Sequence, residues 1–312
     1  MLRPSAWRTP GSAAVIALLC CGAGPGRAQS PVNQPPLDLG QTSFLDGEGG
    51  PGFTFETIGF GSVAGYATDA SGRAVPGRNR QWSGNITLHP IYVSKLQVLG
   101  GNLGFELLQP LSLTHLEAPD SPNTTQGGAG DLVIGPHIQW SGGSLFGRPF
   151  SSRLALQGVL PSGSYSARRS VNAGSDVWQV SPYYAFTWKP FEAWEFSARL
   201  IYDWSSRSTN PPPRLGTGTV QPGSQFAVNY AVSYAVSPAL RLGVAGYALK
   251  QLNDTEVGGK PVPRSQQQAF GLGPGLVWTD GKAKVIANVF REFATENRPE
   301  GFSAVARLLY SF

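Results

Sequence analysis

Glu195, Arg199 and Asp203 recur at intervals of four residues inside a run of alternating apolar and polar side chains. Four residues of extended chain span about 13 Å. The three therefore cannot pair with one another, and each requires a partner on a neighbouring segment. Glu106, Asp131, His137, Arg153, Gln157, Asn229 and Arg307 hold the same kind of position, on the polar side of other alternating runs. Arg153, Asp131, Arg307 and Glu106 are the partners this pattern suggests for the Glu195–Asp203 ladder. Such a set can do one of two things: line a watery passage and select what crosses it, or form a paired network that fills and braces an interior. The two are not mutually exclusive, and either keeps charge away from hydrocarbon, where it is costly.

Covalent or acid–base catalysis finds little support. His89, His115 and His137 are the only histidines; His89 precedes Pro90, and His137 sits on the polar side of its run. Serines are abundant, but no Gly-x-Ser-x-Gly elbow stands between a strand and a helix. Both cysteines, Cys20 and Cys21, fall near the N-terminus in a segment read below as removed, which leaves no disulfide, thiolate or cysteine metal site. Gly271, Gly273 and Gly275 alternate with Phe270, Leu272, Pro274, Leu276 and Trp278, so they read as inward space on a strand and not as a nucleotide loop. A phosphate loop ending at Gly281-Lys282 would need glycine where Leu276 stands. No cofactor is expected, and a lipid-modifying enzyme is the weakest of the readings kept.

The elements that position these residues have period two. Phe226, Val228, Tyr230, Val232, Tyr234 and Val236 alternate with Ala227, Asn229, Ala231, Ser233 and Ala235. Trp178 to Trp188 and Trp194 to Trp204 repeat the pattern, with aromatics toward both ends of the apolar face, as an aromatic girdle requires. Further strands are expected near 52–66, 85–93, 103–115, 131–140, 151–160, 239–251, 268–278, 282–293 and 302–312. The runs at 239–251 and 282–293 alternate poorly, which leaves their facing open. Long polar connections (68–81, 118–128, 162–174, 206–223, 253–265) alternate with tight turns at Gly100-Gly101, Lys189 to Glu192, Ser237-Pro238 and Asp280-Gly281. The expected fold is all-β: a single transmembrane antiparallel barrel of about 12 strands over residues 52–312, with both termini periplasmic.

The two ends of the chain agree with that address. Residues 1–28 carry Arg3 and Arg8, an apolar run from Ala13 to Ala23 and the small-x-small site Gly26-Arg27-Ala28, the pattern of a cleaved signal peptide. Removing Arg3, Arg8 and Arg27, with no acid, takes the formal charge from +5 to +2. The basic balance is thus a property of the leader, and no basic patch suggests nucleic acid. The final strand places Phe302, Leu308, Tyr310 and Phe312 on one face. That arrangement resembles the signal by which outer-membrane proteins are passed to the barrel assembly machinery. Residues 29–51, rich in proline and glycine, read as a flexible periplasmic lead or as a plug.

Several ordered motifs carry a family resemblance. They include Gly130-Asp131-Leu132 through Gly135 to Trp140, Leu160-Pro161-Ser162-Gly163, Trp194-Glu195-Phe196-Ser197-Ala198-Arg199, and Asn229-Tyr230-Ala231. Gly243-Val244-x-Gly246-Tyr247, Gly271-Leu272-Gly273-Pro274, Glu292-Phe293 and Glu296-Asn297-Arg298 follow in order. Together the chain resembles the MetA-pathway phenol-degradation family of outer-membrane proteins. The resemblance implies an outer-membrane channel or transporter of a Gram-negative bacterium, with outer-membrane lipids around it and small hydrophobic or aromatic solutes as cargo. A closed structural or adhesive barrel is the alternative. The Pro211-Pro212-Pro213 loop departs from the family pattern and puts transfer of a particular substrate in doubt.

Overall fold

The computed structural model describes residues 38–118, 121–211 and 218–312. The signal peptide reading at 1–28 and the first part of the lead, 29–37, lie outside the described residues. The strands in chain order are β1 (Gly52–Ala67), β2 (Arg80–Val98), β3 (Gly101–Ala118), β4 (Ser121–Ala129), β5 (Leu132–Leu145), β6 (Arg148–Leu160), β7 (Gln179–Trp188) and β8 (Trp194–Ser205). They continue with β9 (Val220–Gln221), β10 (Gln225–Ala235), β11 (Leu240–Gln251), β12 (Glu256–Val257), β13 (Lys260–Pro261), β14 (Gln268–Asp280), β15 (Ala283–Glu296) and β16 (Pro299–Ser311).

Neighbours in sequence pair antiparallel around a closed wall, and β16 returns to β1 in a register running from Thr54↔Ser311 to Ala67↔Pro299. β4 and β5 both pair with β3, one on each half of its length, and so share one wall position. The wall thus has twelve positions. Short β9, β12 and β13 form a separate three-stranded sheet in the connections between the wall strands. The long connections collect at one end of the barrel, and both β1 and β16 have their outer chain ends at the other, with the tight turns.

Alternation decides the facing throughout. In β7, Gln179, Ser181, Tyr183, Ala185 and Thr187 are buried while Val180 and Tyr184 are exposed. In β16 the exposed set is Phe302, Leu308 and Tyr310, with Phe312 just beyond, and Ser303, Val305 and Arg307 are buried between them. The facing left open for β11 and β15 is settled by burial: Ala245, Tyr247, Leu249, Ile286, Asn288 and Phe290 point in, with Tyr247 against Phe290, while Leu242, Val244 and Val289 point out. One expected loop is a strand instead. β4, Ser121–Ala129, takes up most of the expected loop at 118–128 and extends the β3 hairpin through Leu113↔Gly127 and His115↔Thr125. Backbone pairing satisfies peptide groups regardless of side-chain polarity, so a polar Thr- and Gly-rich run lacks an alternating signature without lacking a ladder.

Outside, Gly59, Gly61, Gly84, Ala304 and Ala306 line an apolar concavity of about 840 Å³ between exposed Trp82, Ile86 and Leu111. Inside, the chain before β1 does not lie apart from the wall. Residues Asp38 to Gly50 run through the lumen, where Thr42, Ser43, Phe44 and Asp46 are all buried.

Candidate functional site: a lumen filled by the chain's own N-terminal segment

The luminal segment is held by hydrogen bonds to inward side chains of six wall strands. The Gly40 amide donates to Asn229 Oδ1 at 3.0 Å, and Asn229 Nδ2 donates in turn to Asp38 O and to Thr42 Oγ1. Ser43 donates to Asn288 Oδ1 at 2.8 Å, the Leu45 amide to Glu195 Oε1 at 2.8 Å, and the Gly47 amide to Thr187 Oγ1 at 2.9 Å. Gln139 Nε2 donates to Gly47 O, and Ser141 donates to Gly49 O. Leu45 adopts φ 57°, a left-handed conformation uncommon for a bulky residue. The tertiary bonds over-determine a backbone that local preference alone would not choose.

Two anchors dominate. Arg199 Nε and Nη2 each donate to one oxygen of Asp46 at 2.8 Å, a bidentate fork, and Nη1 donates to Asp38 Oδ2 at 2.8 Å. The guanidinium carbon lies 4.1 Å from the centre of the Tyr183 ring, so Arg199 is stacked on one side and ion-paired on the other. The second anchor is Phe44, 1% exposed, in a cluster with Ile58, Ala231, Ala245, Tyr247, Val277, Ile286, Phe290 and Val305. Its ring fills room left by two glycines. A Cβ on Gly243 or on Gly275 would stand 2.7 Å from a Phe44 ring carbon.

The remaining charges form a chain across the wall's inner surface. Arg307 Nε donates to Glu56 Oε1 at 2.5 Å, and Glu56 Oε2 meets His89 Nδ1 at 2.8 Å. His89 Nε2 faces Glu106 Oε2 at 3.3 Å, while Glu106 Oε1 accepts from Gln157 at 2.8 Å and from Tyr183 at 2.9 Å. Tyr183 carries the chain to Arg199. At one end of the lumen Glu48 meets Lys189 at 2.6 Å and Lys284 at 3.9 Å. At the other, Asp131, Gln157, Gln179, Ser181 and Asp203 border a cavity of about 80 Å³.

All ten residues singled out in the sequence as candidates for the lumen lie on the inner side of the wall, nine of them buried and Gln157 partly so. Their partners differ from those expected. None of Glu195, Arg199 and Asp203 pairs with Arg153, Asp131, Arg307 or Glu106. Arg199 takes both its acids from the luminal segment. Glu195 accepts from Leu45, Ser197 and Ser233. Asp203 accepts from Gln179 and Ser181 on the adjacent strand. The physical reason is reach: a segment in the middle of the lumen stands closer to an inward side chain than the far wall does. Arg153 donates to Gln139 and to Glu48 O, and Asp131 latches the connection after β6 by accepting from the Gly163 and Ser175 amides and the Ser175 hydroxyl.

His137 is buried with neither ring nitrogen hydrogen-bonded, in the space Gly104 leaves opposite it on β3. Glu56 and His89 were passed over in the sequence, although the rule that found the others applies to them. Phe53 and Phe55 outward put Glu56 inward, and Leu88 and Tyr92 outward put His89 inward. The inward glycines Gly271 and Gly275 do not open space. Tyr247 covers the first and Phe44 with Asn288 the second. Among the described residues, no three His, Cys, Asp or Glu side chains gather to hold a metal ion.

A closed twelve-position antiparallel wall with an apolar exterior and a polar, charged interior is the construction of an outer-membrane barrel. The chain belongs to the family described as "Putative MetA-pathway of phenol degradation", whose model matches residues 64–308. By fold it is similar to the COG4313 outer membrane channel from Pseudomonas putida F1, with a TM-score of 0.74 at 16% identity over 85% of this chain and 97% of that one. It is also similar to the transport unit of the autotransporter AIDA-I from Escherichia coli, with a TM-score of 0.51 at 10% identity over 85% and 92% of the two chains. A sequence search of curated proteins finds no match.

Proposed function

We propose that this protein is an outer-membrane channel for passive passage of small hydrophobic or aromatic molecules, shut at rest by its own segment 38–50. The observation that carries the reading is how the lumen is closed. The occupant is a strand-free stretch joined to the wall at one end by chain and elsewhere by hydrogen bonds, ion pairs and the packing of Phe44, which can be exchanged without breaking the wall. The family and the channel fold to which it is similar support this reading. In it, residues 1–28 are cleaved, both termini face the periplasm, and Phe302, Leu308, Tyr310 and Phe312 form the signal read by the assembly machinery.

Liposome flux decides the matter. Phenolic solutes should leave protein-containing vesicles faster than protein-free ones, and more so when the segment is loosened by Phe44→Ala with Asp46→Asn. Equal flux in every case, for phenolic and aliphatic solutes alike, would favour the closed structural barrel, a reading to which the extent of luminal filling lends weight. Deleting Phe312 should lower the fraction of protein that shows heat-modifiable migration after membrane extraction. An undiminished fraction removes the assembly role.

A further inference from the structure

The segment that shuts the lumen places one aromatic ring and one carboxylate, two residues apart, in two prepared cradles. Phe44 sits in a slot that needs glycine at 243 and 275 and is walled by Ala231, Ala245, Val277 and Phe290. Asp46 sits on the fork of Arg199, whose opposite face is occupied by Tyr183. Two residues of chain span at most about 7 Å between Cα atoms, so the two cradles open from neighbouring points along one stretch of the lumen. Arg199 is 5% exposed while the segment is in place. Displacing the segment removes both acids from the guanidinium, and an anion of the same planar, two-oxygen shape restores the bidentate match.

Resting on the channel reading above, we infer that the segment is a built-in stand-in for the cargo, and that the luminal site it occupies takes an aromatic carboxylate: ring in the Phe44 slot, carboxylate on Arg199. A neutral phenol satisfies the slot and does not replace the carboxylate on the Arg199 fork. A short aliphatic acid satisfies Arg199 and leaves the slot empty. The acidic character of the segment fits its part as the anion, since Asp38, Asp46 and Glu48 are its charged residues and it carries no base.

Calorimetric titration of the full-length protein carrying Phe44→Ala and Asp46→Asn, purified in detergent, tests this with 3-phenylpropionate, its neutral isostere 3-phenylpropionamide, and acetate. The expected order is 3-phenylpropionate tightest, by roughly tenfold or more over the amide, as befits charge-assisted hydrogen bonds. Adding Arg199→Gln should remove the preference of acid over amide. Equal affinities for acid and amide, a preference that survives Arg199→Gln, or acetate binding as tightly as 3-phenylpropionate each overturns the inference. If the double variant does not assemble, the wild-type protein in planar bilayers supplies the answer: 3-phenylpropionate should raise its open probability more than the amide does, and no difference overturns the proposal. Phenol flux without this acid preference sinks only the inference, whereas absence of any flux sinks the channel reading beneath it.

Discussion

The two sides of the lumen are filled by different physics. On the side built by β10, β11, β14, β15 and β16, rings pack into spaces that glycines vacate: Phe44 against Gly243 and Gly275, Tyr247 against Gly271, and Phe290 edge-on to Tyr247 at 5.3 Å. On the side built by β1 to β8, Glu56, His89, Glu106, Tyr183 and Arg199 follow one another by hydrogen bond, ion pair and stacking. The apolar side is held by shape and the polar side by completeness. A misfit ring can shift by an ångström at modest cost, whereas a buried charge that loses its partner has nowhere to go.

The sharpest way to break that contrast is Glu106→Ala. It leaves His89, Gln157 and Tyr183 without their shared acceptor, and loss of one member of a buried charge pair costs about 3–5 kcal/mol. The temperature of heat-modifiable migration should fall accordingly. A fall of only a few tenths of a kcal/mol, after calibration, would mean that water reaches this part of the lumen and that the network is a wetted channel lining. A smaller loss is expected from Gly271→Ala on the apolar side. Its Cβ would stand 2.3 Å from Cζ of Tyr247, so the ring must move, at the cost of about 1–3 kcal/mol typical of overpacking. If this loss exceeds that of Glu106→Ala, the ranking of the two sides is inverted, and the ring cluster rather than the charge chain holds the interior.

Much of this architecture was legible in the linear chain because a membrane strand must alternate. A strand's side-chain period is two, lipid tolerates no exposed charge, and the two conditions together fix which way Glu195, Arg199, Asp203 and Arg307 point. Aromatic ends on the runs at 178–188 and 194–204, and long polar connections between tight turns, gave the strand count. β4 escaped because its Thr- and Gly-rich run carries no apolar face. Glu56 and His89 obey the same alternation, since exposed Phe53 and Phe55 put Glu56 inward and exposed Leu88 and Tyr92 put His89 inward.

Partnership is what the linear chain could not contain. Period two assigns a side but not a neighbour across the lumen: Glu195, Arg199 and Asp203 are buried, and they meet the luminal segment, Ser233, Gln179 and Ser181 rather than the partners expected. A proline- and glycine-rich run has no period to read, so residues 29–51 read first as a flexible periplasmic lead, with a plug as the alternative. The three-dimensional arrangement settles residues 38–50 by supplying donors and acceptors to their backbone from wall strands 90 or more residues away in sequence, such as Gln139, Glu195 and Asn229. Facing is a local property of an extended chain in lipid. Filling is a global one, decided only when twelve wall positions close around the space that remains.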